Sequence, residues 1–179
     1  VAFSPIQVPG LVFWLDAGNS VYTDHLGGYI AAPNNSGVSA WYDLSINQIS
    51  VKQATAAKQP YFLSSVSNLN SKPAIHFDGS NDFIYSNITT NLVGTQSVTL
   101  FTVIGNIPSG IDAGVFEFGD DHNVINDGFH VKRKGSAVNL IAASLSGNNS
   151  LLQARCANNI ISGSTCAVVT TIFDKTNVV

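Results

Sequence analysis

The stretch Lys72-Pro-Ala-Ile-His-Phe-Asp-Gly-Ser-Asn-Asp-Phe-Ile-Tyr85 decides how this chain is read. Apolar and β-forming residues run to Phe77, five turn-formers follow from Asp78 to Asp82, and Phe83-Ile-Tyr85 is apolar again. That order predicts strand, polar turn, strand. Moving outward, Ser97-Val-Thr-Leu-Phe-Thr-Val-Ile104 is dense in β-branched and aromatic residues, and Gly105-Asn106 closes it as a turn closes a buried strand. Val115-Phe-Glu-Phe, Gly128-Phe-His-Val-Lys, Ala137-Val-Asn-Leu-Ile-Ala and Ala167-Val-Val-Thr-Thr-Ile-Phe follow at short intervals separated by Gly and Asn clusters. This spacing predicts an all-β sandwich. The one stretch with a helical pattern is a turn or so within Ser50-Val-Lys-Gln-Ala-Thr-Ala-Ala57, which must end ahead of Pro60.

At 179 residues the chain suits one domain spanning 1–179, and a globule of that size buries roughly 70% of the surface its unfolded chain exposes. Only 11% of the residues are charged and the formal net charge is −3, against about 25% charged in ordinary globular domains. Ser, Asn, Thr and Gly take the polar positions instead, so the long-range field is weak and an electrostatically driven partner is not expected. Lys132-Arg133-Lys134 is the one basic run. It reads as the solvated face or end of a strand and is too small a cluster for nucleic-acid binding. Nor is membrane insertion expected, since no apolar run approaches the ~20 residues of a spanning helix.

With Lys72 to Tyr85, the segments Leu11-Val-Phe-Trp-Leu-Asp-Ala17, Trp41-Tyr-Asp-Leu-Ser45 and Ala57 to Pro60 occur in an order that resembles the laminin-G-like, concanavalin A-like jelly-roll domains of extracellular and phage proteins. The resemblance implies two curved antiparallel sheets stacked face to face, with loops or the concave face used for ligands. It implies an extracellular, virion-surface or cell-surface location, and recognition more than catalysis. In similar domains the segment resembling Ala167 to Asn177 is followed by two further strands, whereas this sequence stops at Val179. The expectation is that those C-terminal strands are missing from the sequence or are supplied in trans by a neighbouring subunit.

Two non-catalytic readings follow. As a glycan-binding or adhesive module, the chain would stack aromatic rings on sugars and hydrogen-bond their hydroxyls with Asn, Asp and Ser. Tyr22, Tyr29, Tyr42, Tyr61 and Tyr85 are the stacking candidates, and Tyr42, Asp78, Asn81, Asp82 and Tyr85 form the candidate ligand-binding set. As a structural or decoration protein of a virion or surface assembly, it would bury its edges against neighbouring protein subunits, as a homo-oligomer or a strand-exchanging array. Trp14 lies in an apolar run and is expected in the core, whereas Trp41 precedes a turn.

An enzyme is not expected. Concanavalin A-like folds include glucanases, and a glycoside hydrolase is the second alternative, but retaining hydrolysis needs two carboxylates about 5 Å apart. Glu117 is the sole glutamate, and Phe-Glu-Phe-Gly-Asp-Asp lacks the Glu-x-Asp-x-x-Glu run of those enzymes. Glu117 could pair with Asp120 or Asp121, with His122 or His130 as base; the plainer reading places Glu117 on an outer strand face between inward Phe residues, and His76 and His130 as strand histidines.

Ca²⁺ is the one cofactor the residues suggest. Asp120, Asp121, Asn123 and Asp127 offer hard oxygen ligands in one acidic loop, where they would otherwise cap turns. Cys156 and Cys166 flank a Ser-Gly-Ser turn at a spacing that suits a disulfide, and closing a loop of about eleven residues would contribute about 2.8 kcal/mol; two buried free thiols are the alternative. Asn34, Asn87 and Asn148 each begin an Asn-X-Ser/Thr triplet that would accept a glycan in a eukaryotic secreted protein.

Overall fold

A computed structural model describes residues 4–87, 98–105, 113–118, 129–134, 139–146, 150–155 and 166–173. Its described residues are all-β: the sheets are antiparallel, and the helical elements are three-residue 3₁₀ turns at Pro5–Gln7, Ala56–Lys58 and Ser67–Leu69. The chain divides into two units, Val1–Ile88 and Thr89–Val179.

The first unit holds β1 (Val21–Tyr22), β2 (Ala40–Trp41), β3 (Val51–Lys52), β4 (Tyr61–Val66) and β5 (Lys72–His76). β1, β2 and β3 form one antiparallel sheet and β4 pairs with β5 in another. A row of cross-strand partners runs Tyr22, Ala40, Lys52, Tyr85, with the last step an isolated bridge between β3 and Tyr85. Directly opposite residues share a sheet face, so this row puts Tyr22, Lys52 and Tyr85 on one side. Alternation along β3 sends Ile49 and Gln53, both buried, to the other side.

The strand predicted over Lys72 to Phe77 is present as β5, but its partner is β4, not the segment beyond the turn. Tyr85 instead bridges Lys52, with N–H···O distances of 2.7 and 3.2 Å. The helical turn expected within Ser50 to Ala57 is displaced: β3 occupies Val51–Lys52, and the 3₁₀ turn comes at Ala56–Lys58, ahead of Gln59 in extended backbone and Pro60. Residues 11–17 form no strand. Their backbone pairs with the turn after β2, where the Leu44 N–H donates to the Trp14 carbonyl at 2.8 Å and the Ser45 hydroxyl oxygen lies 2.9 Å from the Val12 carbonyl oxygen.

The first unit's core is small and partly polar. Among the described residues Val21, Val38, Ala40, Ile49 and Pro60 are buried and apolar, and Ser39, Asp43, Ser45 and Gln53 are buried with them. Trp14, expected in the core, is only half-buried.

In the second unit β7 (Ala113–Phe118), β8 (Phe129–Lys134), β9 (Asn139–Ser146) and β10 (Ser150–Arg155) form a four-stranded meander. β6 (Val98–Gly105) pairs with β11 (Cys166–Phe173) over eight residue pairs. β10 was not anticipated, because Leu-Leu-Gln-Ala-Arg lacks the β-branched residues that mark the other strands. β6 is not the buried strand its composition suggests. It alternates, with Phe101 71% and Val103 61% exposed, because a two-stranded ribbon turns one face outward. Val131 and Thr171 are buried.

Candidate functional site

The residues with ligand-binding character gather on the row that β1, β2 and β3 define. Tyr22 and Tyr42 meet edge to face with ring centroids 5.3 Å apart, Tyr22 and Tyr29 do the same at 5.5 Å, and Tyr29 and Tyr42 lie tilted at 5.5 Å. These are favourable aromatic arrangements. Tyr22 comes from β1, Tyr42 follows β2 and donates its N–H to the Ser20 carbonyl at 2.9 Å, and Tyr29 stands at positive φ in the loop between. Ala40, at 0% exposure, lies in the row beside them and has no side chain long enough to displace the rings. Tyr29 keeps 63% of its surface exposed. Burial, and then the neighbouring Tyr29, Asp24 and Tyr22, push the Tyr42 phenol above the ordinary tyrosine value of 10.0.

Lys52 joins this cluster to a cleft. Its Nζ lies 5.7 Å from the Tyr42 ring centroid, in cation–π range. The cleft, of about 440 Å³, is lined by His25, Gln48, Ser50, Lys52, Tyr85 and Asn87, with Ala54 and Ser86 completing the wall. Ser50, Lys52 and Ala54 alternate across β3 and its flanks, and Gln48, at a φ of 52°, reaches the same cleft from the turn before the strand. His25 is oriented by a 2.8 Å contact between Nδ1 and the Ser39 hydroxyl, which in turn donates to the Gln53 carbonyl at 3.2 Å.

Asp24 stands at the rim of the cluster but is tied to its own loop. Oδ1 accepts the Leu26 N–H at 2.8 Å and Oδ2 accepts that of Gly28 at 2.6 Å. These two bonds, Leu26 first, hold the carboxyl below its ordinary 3.8. A methyl group at Gly28 would overlap that carboxylate.

Of the ligand-binding set expected from sequence, Tyr42 and Tyr85 lie in this region. Asp78, Asn81 and Asp82 close a turn instead: Asp78 Oδ1 accepts the N–H groups of Ser80, Asn81 and Asp82 at 2.8, 3.2 and 3.3 Å, and Asp82 Oδ2 accepts the Asp78 N–H at 2.9 Å. The Ser80 bond above all lowers the Asp78 pKa. Tyr61 opens β4, opposite His76.

The tryptophan and aspartate motifs are structural. Asp43, 6% exposed, accepts the N–H groups of Trp14, Ser45 and Ile49 at 2.8, 2.8 and 3.0 Å, and the Ser45 hydroxyl at 2.6 Å. Trp41 Nε1 donates to the Asp16 carbonyl at 3.1 Å. Asn34 is likewise engaged, its Oδ1 accepting the Ser64 N–H at 2.9 Å.

Asp120, Asp121, Asn123 and Asp127, with His122, lie outside the described residues, as do Cys156 and Asn148. Cys166 opens β11 and is half-buried. Glu117 is exposed on β7 opposite His130 on β8, and Lys132-Arg133-Lys134 ends β8. Among the described residues no three His, Cys, Asp or Glu side chains are grouped as metal ligands would be, and no helix is long and apolar enough to cross a membrane.

Lys52, His25, Gln48 and Ser50 are the site residues that sequence reasoning missed. The signal was available: Ile49, Val51 and Gln53 alternate with Gln48, Ser50 and Lys52 at a strand's period of two. No protein-family model, curated protein or solved structure matches this chain.

Proposed function

We propose that this chain is a non-catalytic recognition module of a secreted or surface protein, binding a glycan or making an adhesive contact, on a sandwich of the concanavalin A-like, jelly-roll kind. The observation that carries the reading is the triad of Tyr22, Tyr29 and Tyr42 beside an open cleft edged by Tyr85. Sugars present apolar C–H faces ringed by hydroxyls, and a binding site for them combines flat aromatic surface with a few uncharged donors and acceptors. Gln48, Ser50 and Asn87 supply the latter. An array of glycans probed with the purified protein, in Ca²⁺ and again in EDTA, tests it. Specific binding that is lost in Tyr29→Ala and Tyr42→Ala, both still folded, is the expected outcome; silence across the array sinks the reading.

A structural role in an assembly is the second reading. Phe101, Val103, Val168 and Ile172 line up on the outward face of β6 and β11, at 71%, 61%, 70% and 42% exposure. Contiguous apolar surface of this kind favours association. Light scattering on the array sample separates the two, since a defined large assembly that binds no glycan favours the structural role. Ca²⁺ at Asp120, Asp121, Asn123 and Asp127 and a Cys156–Cys166 disulfide belong to the same proposal. Melting with and without EDTA tests the first, and intact mass after thiol alkylation with and without reductant tests the second.

A further inference from the structure

We propose that the cleft takes a carboxylate-bearing sugar, with the carboxylate on Lys52 Nζ; this rests on the recognition-module reading above and names the ligand class of the same site. Among the described residues, the lining includes one lysine and one histidine, and no carboxylate. The other polar side chains are the amides of Gln48 and Asn87 and the hydroxyls of Ser50, Ser86 and Tyr85, which match sugar hydroxyls and attract no cation strongly.

Lys52 is set in place from two sides. Its backbone bonds Tyr85 in both directions, at 2.7 and 3.2 Å, and its ammonium rests over the Tyr42 ring. The neighbouring acid, Asp24, feels the Lys52 charge, but each of its carboxylate oxygens is held by an amide N–H of its own loop. The ammonium is a compact point charge and suits one carboxylate. A heavily sulfated chain instead needs clustered cations, as any polyanion does, and the described lining residues offer a single lysine. The volume of about 440 Å³ falls within the roughly 300–1,000 Å³ of small-ligand sites. A sugar ring seated between Lys52 and Tyr85 would continue onto the exposed Tyr29.

The test is calorimetric titration of the full chain with uronate and sialate oligosaccharides, with neutral oligosaccharides of the same length, and with sulfated ones. The expected result is preference for a carboxylated sugar. K52Q should weaken that binding by about tenfold or more, as loss of a charge-assisted hydrogen bond does, K52R should retain most of it, and neutral sugars should be indifferent to both. Lys52 is exposed, so both variants are expected to fold, checked by unchanged circular dichroism. Neutral sugars binding as tightly as acidic ones, sulfated sugars binding most tightly, or an unchanged affinity in K52Q each overturns the inference and leaves the module reading standing. Failure of every sugar to bind overturns both.

Discussion

A buried carboxylate that accepts four hydrogen bonds is an organising residue, and Asp43 is one. It draws the amides of Trp14, Ser45 and Ile49 and the Ser45 hydroxyl to a single point, which ties Trp14 to the turn after β2. Asp43→Ala should therefore lower stability by about 3 kcal/mol, because it leaves buried N–H groups without acceptors; urea unfolding at an unchanged m-value measures it. Asp24 and Asp78 act through pH. Amide hydrogen bonds lower both carboxyls in the folded state, so the unfolded chain binds more protons in acid. The stabilisation is present in full above the ordinary 3.8 and is lost as pH falls through the depressed folded values. Unfolding midpoints of Asp24→Asn with Asp78→Asn, followed down the acid limb, should fall less steeply than those of the parent. A parallel slope would show that these bonds do not survive in solution. Tyr42 behaves oppositely in alkali: its raised value favours the folded state below the ordinary 10.0 and withdraws that support as pH rises through the folded value. Tyrosinate absorbance in Tyr42→Phe should lose a phenol that titrates above the ordinary tyrosine value.

Among the elements, the connection from β4 to β5 shows how local geometry constrains residue choice. Asn70 and Ser71 stand at φ of 55° and 59°, a left-handed region that costs a side chain roughly 1–2 kcal/mol unless it is Gly, Asn or Asp. Asn70 suits its place and Ser71 does not. Ser71→Gly should stabilise by about 0.5 kcal/mol, relief of the side-chain clash outweighing the added freedom of the unfolded chain, whereas Ser71→Val should cost about 1 kcal/mol; denaturant midpoints decide. The element that matters most for the site is β3. Val51-Lys52-Gln53-Ala54-Thr55-Ala56 carries both a strand's alternation and a helix-former's composition, and pairing with β2 and Tyr85 settles Val51–Lys52 as strand while Ala56 opens a 3₁₀ turn. As strand, β3 places Lys52 on the cleft wall between Ser50 and Ala54.

For the whole molecule, the second unit's outward face carries its own consequence. Phe101 opposes Thr170 and Val103 opposes Val168 across β6 and β11, giving an apolar strip flanked by threonine. Phe101→Thr with Val168→Thr should reduce concentration-dependent light scattering. Because both side chains are largely exposed, stability should shift by no more than about 0.5 kcal/mol. Equal scattering from parent and double variant would place any association elsewhere. Both substitutions lie in the second unit, so glycan binding assigned to the first should be unaltered.

What the sequence determined by itself is the class of architecture and most of its strands, since β-branched and aromatic runs cut by Gly and Asn clusters can satisfy their backbones only by pairing between segments. Strands β5 to β9 and β11 were legible in this way, as was the polar turn over Asp78 to Asp82. Which strand pairs with which was not, because register and partner are set by long-range hydrogen bonds that no local window contains. Tertiary structure alone decided that β5 takes β4, that Tyr85 takes Lys52, that Asp43 is a buried hub, and that Tyr22, Tyr29 and Tyr42, spread over twenty residues of chain, meet on a single face. A surface assembled across three strands exists only once those strands are in register.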